Sequence, residues 1–519
     1  MVDIRTADVM GALSLAADLA TGLPAEHAMR SCYMGMGLAK RLKLTPSERT
    51  DIYYTGLLMD AGCTAWTSQM AAFLAGDEIA ARRDLYFFTN RHSPLDMFLW
   101  LSKYLAPDAP VLTRLGRGTG VLSAGDAFTR EGFRNTCEVA QLLAARMGMP
   151  EPVQRALLSV FEQWDGNGPD RASGASIPLV ARIVSATSYL EVFHRVGGRT
   201  AALELARSSR GSAFDPLVVD AFLEIADDSF WEPLEAGSVW DLVVAMEPVS
   251  ELSVIDAAQF DEVALSFADF ADIKSPHLAG HSRRVGELAA RLAEDAGLDA
   301  NSISTVRTAG LMHNLGMVAV PSFLLGHADS DVSPVEREQL CLHPHLGERI
   351  VARIQGLEPV AELVAAHHER HDGTGYPRGL AGGGIPVGAR LIAVADAFDK
   401  MTHDSPGYSA LDTRAALDRI ASEVGHAYAP DACAALSRVL TEPGARVAPR
   451  VSAWPASLTN REVDVLRLVA RGMSRKQMAG SLALSEATVR HHMEHIYAKI
   501  GVSTRVAAAL SAIEHGLVE

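Results

Sequence analysis

The chain has 519 residues, of which 48% are hydrophobic, 21% charged and 6% aromatic. That length predicts three or four domains of ordinary globular composition, excludes a disordered chain, and with so few aromatics favours Ala/Leu-rich helix over a β-sandwich. The net charge of −16 argues against a general nucleic-acid binder, yet residues 457–519 hold eight Lys/Arg against six Asp/Glu, so a module of charge +2 rides on a body of −18.

No apolar run approaches the ~18 residues of a transmembrane helix. The start, Met1-Val2-Asp3-Ile4-Arg5, lacks a basic region leading into an apolar stretch, so no signal peptide is predicted. Cys32, Cys63, Cys137, Cys341 and Cys433 are scattered, with no CxxC, and read as reduced, mostly buried thiols. The expected location is cytoplasmic, without membrane contact.

Along the chain, apolar residues recur at spacings of three and four, which predicts helices throughout. Residues 1–228 read as a first helical module, with a Pro/Gly-rich connector at 105–127 inside it. An acidic, Trp-containing connector is expected at 229–256, a second module at 257–440, a Pro-rich linker at 441–456, and the basic module at 457–519.

The two large modules resemble each other. Residues 164–182 and 371–390 share DGxG, a Gly-rich loop, Ile-Pro and Ala-Arg. His281 precedes His313 by the same interval as His27 precedes Met59, and His343 precedes His367 by the same interval as Thr136 precedes Val160. A duplication is inferred, with copies at about 10–228 and 257–440.

Ten of the 18 histidines fall within residues 277–403. His281 extends the apolar stripe Val285, Leu288, Ala289, Leu292 by one turn, His367 and His368 continue the stripe Val360, Leu363, Val364, and Asp396 lies four after Ile392. Each is thus aimed into a core. Buried without partners they would cost several kcal/mol apiece, roughly. A divalent metal removes that cost, and mixed imidazole and carboxylate donors suit iron, manganese or zinc.

On these residues, 257–440 resembles an HD-GYP domain, a branch of the HD metal-dependent phosphohydrolases. The resemblance implies an all-helical fold, two or three metal ions and hydrolysis of cyclic di-GMP. It implies metal ligands at His281, His313, Asn314, His343, His367, His368 and Asp396, and an interaction loop at Gly375, Tyr376 and Pro377. Three departures weaken the expected chemistry. The HD pair is His313-Asn314, the following Gly-Lys is Gly316-Met317, and the RPYR segment falls on Ser405-Pro406-Gly407-Tyr408. A bridging carboxylate and three cations are therefore missing from a reaction that rests on positioning and charge. The first copy has Met59, Thr136, Val160, Phe161 and Ser188 at ligand positions and keeps only His27. It is expected to bind no metal and to serve a structural or dimerising role.

In the basic module, Thr459 with Glu462 and Ser474 with Gln477 form capping-box patterns, and Gly472 fits a helix stop. A third helix, EATVRHHMEHIYAKI, has the apolar stripe Val489, Met493, Ile496, Ile500, and a fourth starts near Thr504. LTNRE, GMSRKQMAGSLALSEATVRHH and IYAKIGVSTR make this module similar to the LuxR-type DNA-binding domain. The resemblance implies a third helix in the major groove, DNA contacts from Thr488, Arg490, His491 and Lys499, and a fourth helix that supports dimerisation. Glu494 departs from the basic residue common there.

The predicted fold is therefore all-α, with two tandem HD-type helical modules and a C-terminal four-helix helix-turn-helix domain. The leading functional reading is a DNA-binding transcriptional regulator whose metal-site module senses a ligand or holds a dimer, with weak or no catalysis. The alternative is a metal-dependent cyclic di-GMP phosphodiesterase, or other phosphohydrolase, coupled to DNA binding. The partners are double-stranded DNA, a second copy of the chain, and a nucleotide or other small molecule. The cofactors are two divalent ions, Fe, Mn or Zn, in the second module only. No residue is assigned as catalytic.

Overall fold

The computed structural model describes residues 4–87, 94–107, 109–326, 332–441 and 454–518. They form two compact units, Asp3–Gln259 with Pro321–Phe323, and Phe260–Val320 with Leu324–Glu519. The fold is all-α, as predicted. Among the described residues the only strands are a two-residue antiparallel pair, Ile4–Arg5 with Val254–Ile255.

Two expected connectors are instead structured. The stretch 105–127 is largely taken up by the helix Val111–Arg146. Residues 229–256 belong to the first unit: the short helices Asp228–Glu235 and Trp240–Ala245 bury Phe230, Trp231, Leu234, Trp240 and Val243. The acidic residues that suggested a connector occupy the outer faces, while the aromatics supply buried apolar area at roughly 25 cal/mol per Å². Most of the expected linker at 441–456 lies outside the described residues.

The duplication is visible bond by bond. The helix His281–Asp295 begins at His281, after Gly280 in the left-handed region (φ 72°). The helix His27–Arg41 begins at His27, after Glu26 at φ 66°. Asp272 accepts from the Ser282 amide as Asp18 accepts from the Ala28 amide. Glu369 accepts from the Arg378 and Leu380 amides, and Glu162 from the Asp170 and Ala172 amides, so each Gly-rich loop is pinned by one carboxylate. His371 and Asp372 donate to Ala427 and His426 as Trp164 and Asp165 donate to Ala213 and Ser212.

Each copy also depends on one glycine. A Cβ at Gly316 would lie 2.0 Å from the His343 carbonyl oxygen, and a Cβ at Gly62 would lie 1.9 Å from that of Thr136. Only glycine lets the turn after the HD position touch the following helix backbone.

The helix-turn-helix module falls within the second unit and has four helices, Asn460–Ala470, Arg475–Leu482, Glu486–Ile500 and Arg505–Glu514. Both predicted capping boxes form, and Ser485 and Thr504 cap the last two helices. Val463, Leu466, Val469, Met478, Val489 and Ile496 make its core, with Met493 and Ile500 partly buried against it. Lys499 reaches back to this frame: its Nζ lies 2.7 Å from Glu462 Oε2 and 3.2 Å from the Ser457 carbonyl oxygen.

Two outcomes follow. Gly316→Ala should destabilise the second unit, and Gly62→Ala the first, by about 3 kcal/mol or more, since neither backbone can recede. Thermal unfolding of the full chain reads this, and unchanged melting would contradict the close approach. The Glu462 carboxyl is pushed up by burial, but hydrogen bonds from Lys499 and Thr459 outweigh this and hold it at about 2. Its folded pKa lies below the unfolded value, so its contribution is full above about pH 4.5 and fades as the pH falls towards 2. Lys499→Ala should therefore cost about 0.5–1 kcal/mol near pH 7 and progressively less in acid. A loss that does not shrink in acid would contradict the ion pair.

Candidate metal centre and nucleic-acid interface

Five histidines and one aspartate converge in the second unit as two triads, His281, His313 and Asp396, and His343, His367 and His368. Within each, the donor atoms lie within 4.8 Å of one another. The His313 and His367 rings have centroids 5.1 Å apart, so the triads adjoin.

Helix ends aim the imidazoles. His313 directly follows the helix Ala300–Met312, and its Nδ1 donates to the Gly310 carbonyl at 2.7 Å. His367 directly follows Glu358–Ala366, and its Nδ1 donates to Val364 at 2.6 Å. His343 follows Pro334–Cys341 by one residue, and its Nδ1 donates to Leu340 at 2.6 Å. The last carbonyls of a helix lack intrahelical partners, and each histidine satisfies one. The bond fixes the tautomer, with the proton on Nδ1 and a bare lone pair on Nε2. His281 instead points its Nδ1 at Asp399, whose Oδ2 lies 2.7 Å away. Arg284 in turn clamps Asp399 through Nε and Nη2 at 2.7 and 3.0 Å.

The bare lone pairs then meet other acceptors. His343 Nε2 and His367 Nε2 face each other at 3.2 Å. Asp396 Oδ1 faces His281 Nε2 at 3.1 Å and His313 Nε2 at 3.6 Å. Between His343 and His367 acceptor meets acceptor, which is repulsive unless a cation lies between them, whereas a proton on His281 Nε2 bridges that nitrogen to Asp396. Burial lowers the pKa of His343 to about 3 and depresses His367 and His368 far below the ordinary histidine range, with neighbouring charges adding to the effect. Protons therefore do not fill this triad near neutrality. His281 differs: burial lowers it, but Asp396 and Asp399 together raise it to about 9. Metal at that triad competes with a proton. This donor set fits a divalent ion.

Asn314, next to His313, is 1% exposed, and neither its Oδ1 nor its Nδ2 has a hydrogen-bond partner. Lys400 places Nζ 2.9 Å from Asp396 Oδ2. A cavity of about 820 Å³ opens over both triads, a volume suited to a nucleotide-sized ligand. Lys400, Arg370 and Arg419 line it, with Tyr376, Tyr408 and Tyr428. The sequence reading missed these three cations, together with Asp399 and Arg284. Asp399 and Lys400 follow Asp396 by three and four positions, which a helical count could have flagged. Arg370 and Arg419 carry no local signal.

Of the loop Gly375-Tyr376-Pro377, Gly375 has no room for a side chain, since a Cβ would lie 2.2 Å from the Arg370 amide nitrogen. Tyr376 stacks on His368 with centroids 5.0 Å apart and lines the cavity. His277 also lines the cavity but lies outside both triads.

In the first unit the corresponding space is filled by Met59, Val160, Phe161, Val184 and Cys137. His27 survives because both nitrogens are engaged, Nδ1 with Glu191 at 2.5 Å and Nε2 with the Ser188 hydroxyl at 3.1 Å. Arg30 clamps Glu191 as Arg284 clamps Asp399. The residue after Met59 is Asp60, which is buried. The first copy thus keeps the carboxylate where the second has Asn314, and loses the histidine that the second retains.

On the third helix of the C-terminal module, Arg490 and His491 are exposed. Arg490 has only a 3.8 Å contact to Glu494, itself exposed. Thr488 is half-buried, its hydroxyl 2.8 Å from that of Ser485. Lys499, expected to contact phosphate, instead has its ammonium engaged by Glu462 and the Ser457 carbonyl.

Residues 266–432 match the HD domain family, and residues 456–512 match the luxR family of bacterial regulatory proteins. The chain is 27% identical over 412 residues to 3'3'-cGAMP-specific phosphodiesterase 3 of Vibrio cholerae, covering 79% of this chain and 89% of that protein. It is 32% identical over 171 residues to a cyclic di-GMP phosphodiesterase of Thermotoga maritima, covering 33% of this chain and 45% of the relative's length. A crystal structure of the V. cholerae cyclic GMP-AMP specific phosphodiesterase V-cGAP3 superposes with a TM-score of 0.60 at 24% identity, covering 85% of this chain and 99% of that one. That likeness shows a shared fold. Residues 266–432 are thus similar to HD domains and residues 456–512 to the luxR family of bacterial regulatory proteins, and most of the chain is similar in sequence to a cyclic-dinucleotide phosphodiesterase.

Proposed function

We propose that the chain is a DNA-binding transcriptional regulator whose second helical module is a metal-dependent cyclic-dinucleotide site with weakened hydrolysis. The observation that carries this is the pair of bare Nε2 atoms, on His343 and His367, facing each other at 3.2 Å in a buried site. Local hydrogen bonds hold them so, and a bound cation would relieve the repulsion between them.

His281, His313 and Asp396 would hold one ion, and His343, His367 and His368 another. Bound ions supply positive charge that polarises a phosphodiester. The protein does the rest. Asp399 and the helix-terminal carbonyls orient the donors, while Lys400, Arg370 and Arg419 give the cavity positive charge for phosphate. Tyr376, Tyr408 and Tyr428 give it aromatic faces for bases. Asn314 withholds the carboxylate that would neutralise and couple two ions, and so weakens catalysis.

A full phosphodiesterase is the second reading. It is favoured by the V. cholerae relative, which is matched along 79% of this chain. The first unit, with its apolar filling, is proposed as a structural and dimer-forming element, and the regulator as a homodimer on double-stranded DNA. Arg490, His491 and Thr488 are the proposed DNA contacts.

Arg490→Ala should weaken operator binding by about tenfold or more in a mobility-shift titration, with unchanged helicity and elution volume. Unchanged binding would refute the placement of the third helix in the groove. Dialysis against a chelator should lower the melting temperature by several degrees, roughly, through loss of a native-state ligand. Melting indifferent to chelation would refute the metal site.

A further inference from the structure

The two triads are unequal in charge. Their six donor residues include one carboxylate, Asp396. Lys400 already holds the Oδ2 of that carboxylate at 2.9 Å, so its charge is offset before any metal arrives. Of the other carboxylates around the triads, Asp399 is paired with Arg284 at 2.7 Å, Glu369 accepts from the Arg378 and Leu380 amides, and Asp272 accepts from Ser282. The triad of His343, His367 and His368 contributes no negative charge. Asn314, beside His313, contributes none either. Two divalent ions here would lie side by side in a buried site with nothing anionic to share between them, a costly arrangement at low effective dielectric.

The same residues offer donors in place of charge. The buried Asn314 amide has an Nδ2 group without a partner. Lys400 Nζ has three N–H bonds, gives one to Asp396 among the described residues, and its side chain is 42% exposed where it lines the cavity. An ammonium that lines the cavity and an unfilled amide N–H₂ on the residue that follows His313 are the complement of a phosphate oxygen.

We propose that the triads fill in order. One divalent ion resides at His281, His313 and Asp396, and the triad of His343, His367 and His368 holds its ion only together with a phosphate-class anion. That anion would lie between the ions and accept hydrogen bonds from Asn314 and Lys400. The proposal rests on the metal reading above and adds that occupancy of the second triad reports the anion.

The test uses the full-length chain loaded with Mn²⁺ and dialysed into metal-free chloride buffer. Metal per chain is measured by elemental analysis, and coupling between ions by electron paramagnetic resonance. The expected result is about one Mn²⁺ in chloride, with an uncoupled spectrum, and about two, coupled, once millimolar inorganic phosphate is added at equal ionic strength. Asn314→Asp supplies the missing charge and should retain about two without phosphate. His343→Ala should lose only the phosphate-dependent ion, and His281→Ala the resident one. About two ions in phosphate-free wild-type protein would overturn the proposal and leave the metal reading intact, as would about one at every phosphate concentration. No retained metal in the wild type and in Asn314→Asp would overturn the metal reading itself. The wild-type phosphate response decides the matter even where a variant fails to fold.

Discussion

The site depends on how its imidazoles are held from behind. His313, His343 and His367 each spend Nδ1–H on a carbonyl three residues earlier, at the end of a helix. One bond thereby engages a helix-terminal carbonyl and orients an imidazole. Helix ends thus supply the orientation that second-shell carboxylates supply elsewhere. His281 begins its helix and has no such carbonyl behind it, so Asp399 and Arg284 take over. Disturbing a helix end here would misdirect a donor before it unfolded anything.

The duplicated frame separates what the fold requires from what the chemistry requires. Both copies keep the glycine under the following helix, the carboxylate that pins the loop, and the Arg–carboxylate clamp on the first histidine. These are packing features, and they persist in the first unit although its centre is filled with Met59, Val160 and Phe161. The HD position itself has diverged in complementary ways, to Met59-Asp60 in one copy and His313-Asn314 in the other. Asp60 is tolerated in an apolar surround because burial raises its carboxyl pKa, which the nearby His27 and Arg82 only partly oppose. Asn314 is neutral but carries two unfilled hydrogen-bonding groups, a cost a buried amide does not bear without a compensating ligand.

The parts legible in the sequence were those written locally. Capping boxes at Thr459 and Ser474 lie within four residues, and both form. His281, His367 and His368 could be read because they continue apolar stripes, and the stripe shows which way the side chain faces, whereas His313 and His343 entered only with the family resemblance. What stayed hidden involves long separations or compensation. Lys499 looked free for DNA because Glu462, its partner, is 37 residues away. Residues 229–256 looked like a connector because their acidic outer faces dominate the composition, while Trp231 and Trp240 pack inward. The cations at Lys400, Arg370 and Arg419, which line the cavity, were not read from the sequence. A charge supplied from another helix or loop leaves no trace in the local motif.

Charge also frames how the two halves of the function fit. The C-terminal module carries only +2, and one of its cations, Lys499, is spent inside the module. Arg490 is held only loosely by Glu494, an exposed pair worth little, so it remains available to a base edge. Glu494, however, would face phosphate with the wrong sign. The remaining chain, at −18, adds repulsion within a Debye length of about 8 Å at physiological salt. Such a module gains occupancy chiefly by doubling its contacts. Binding as a pair is therefore the physically economical way for this chain to hold a site on DNA.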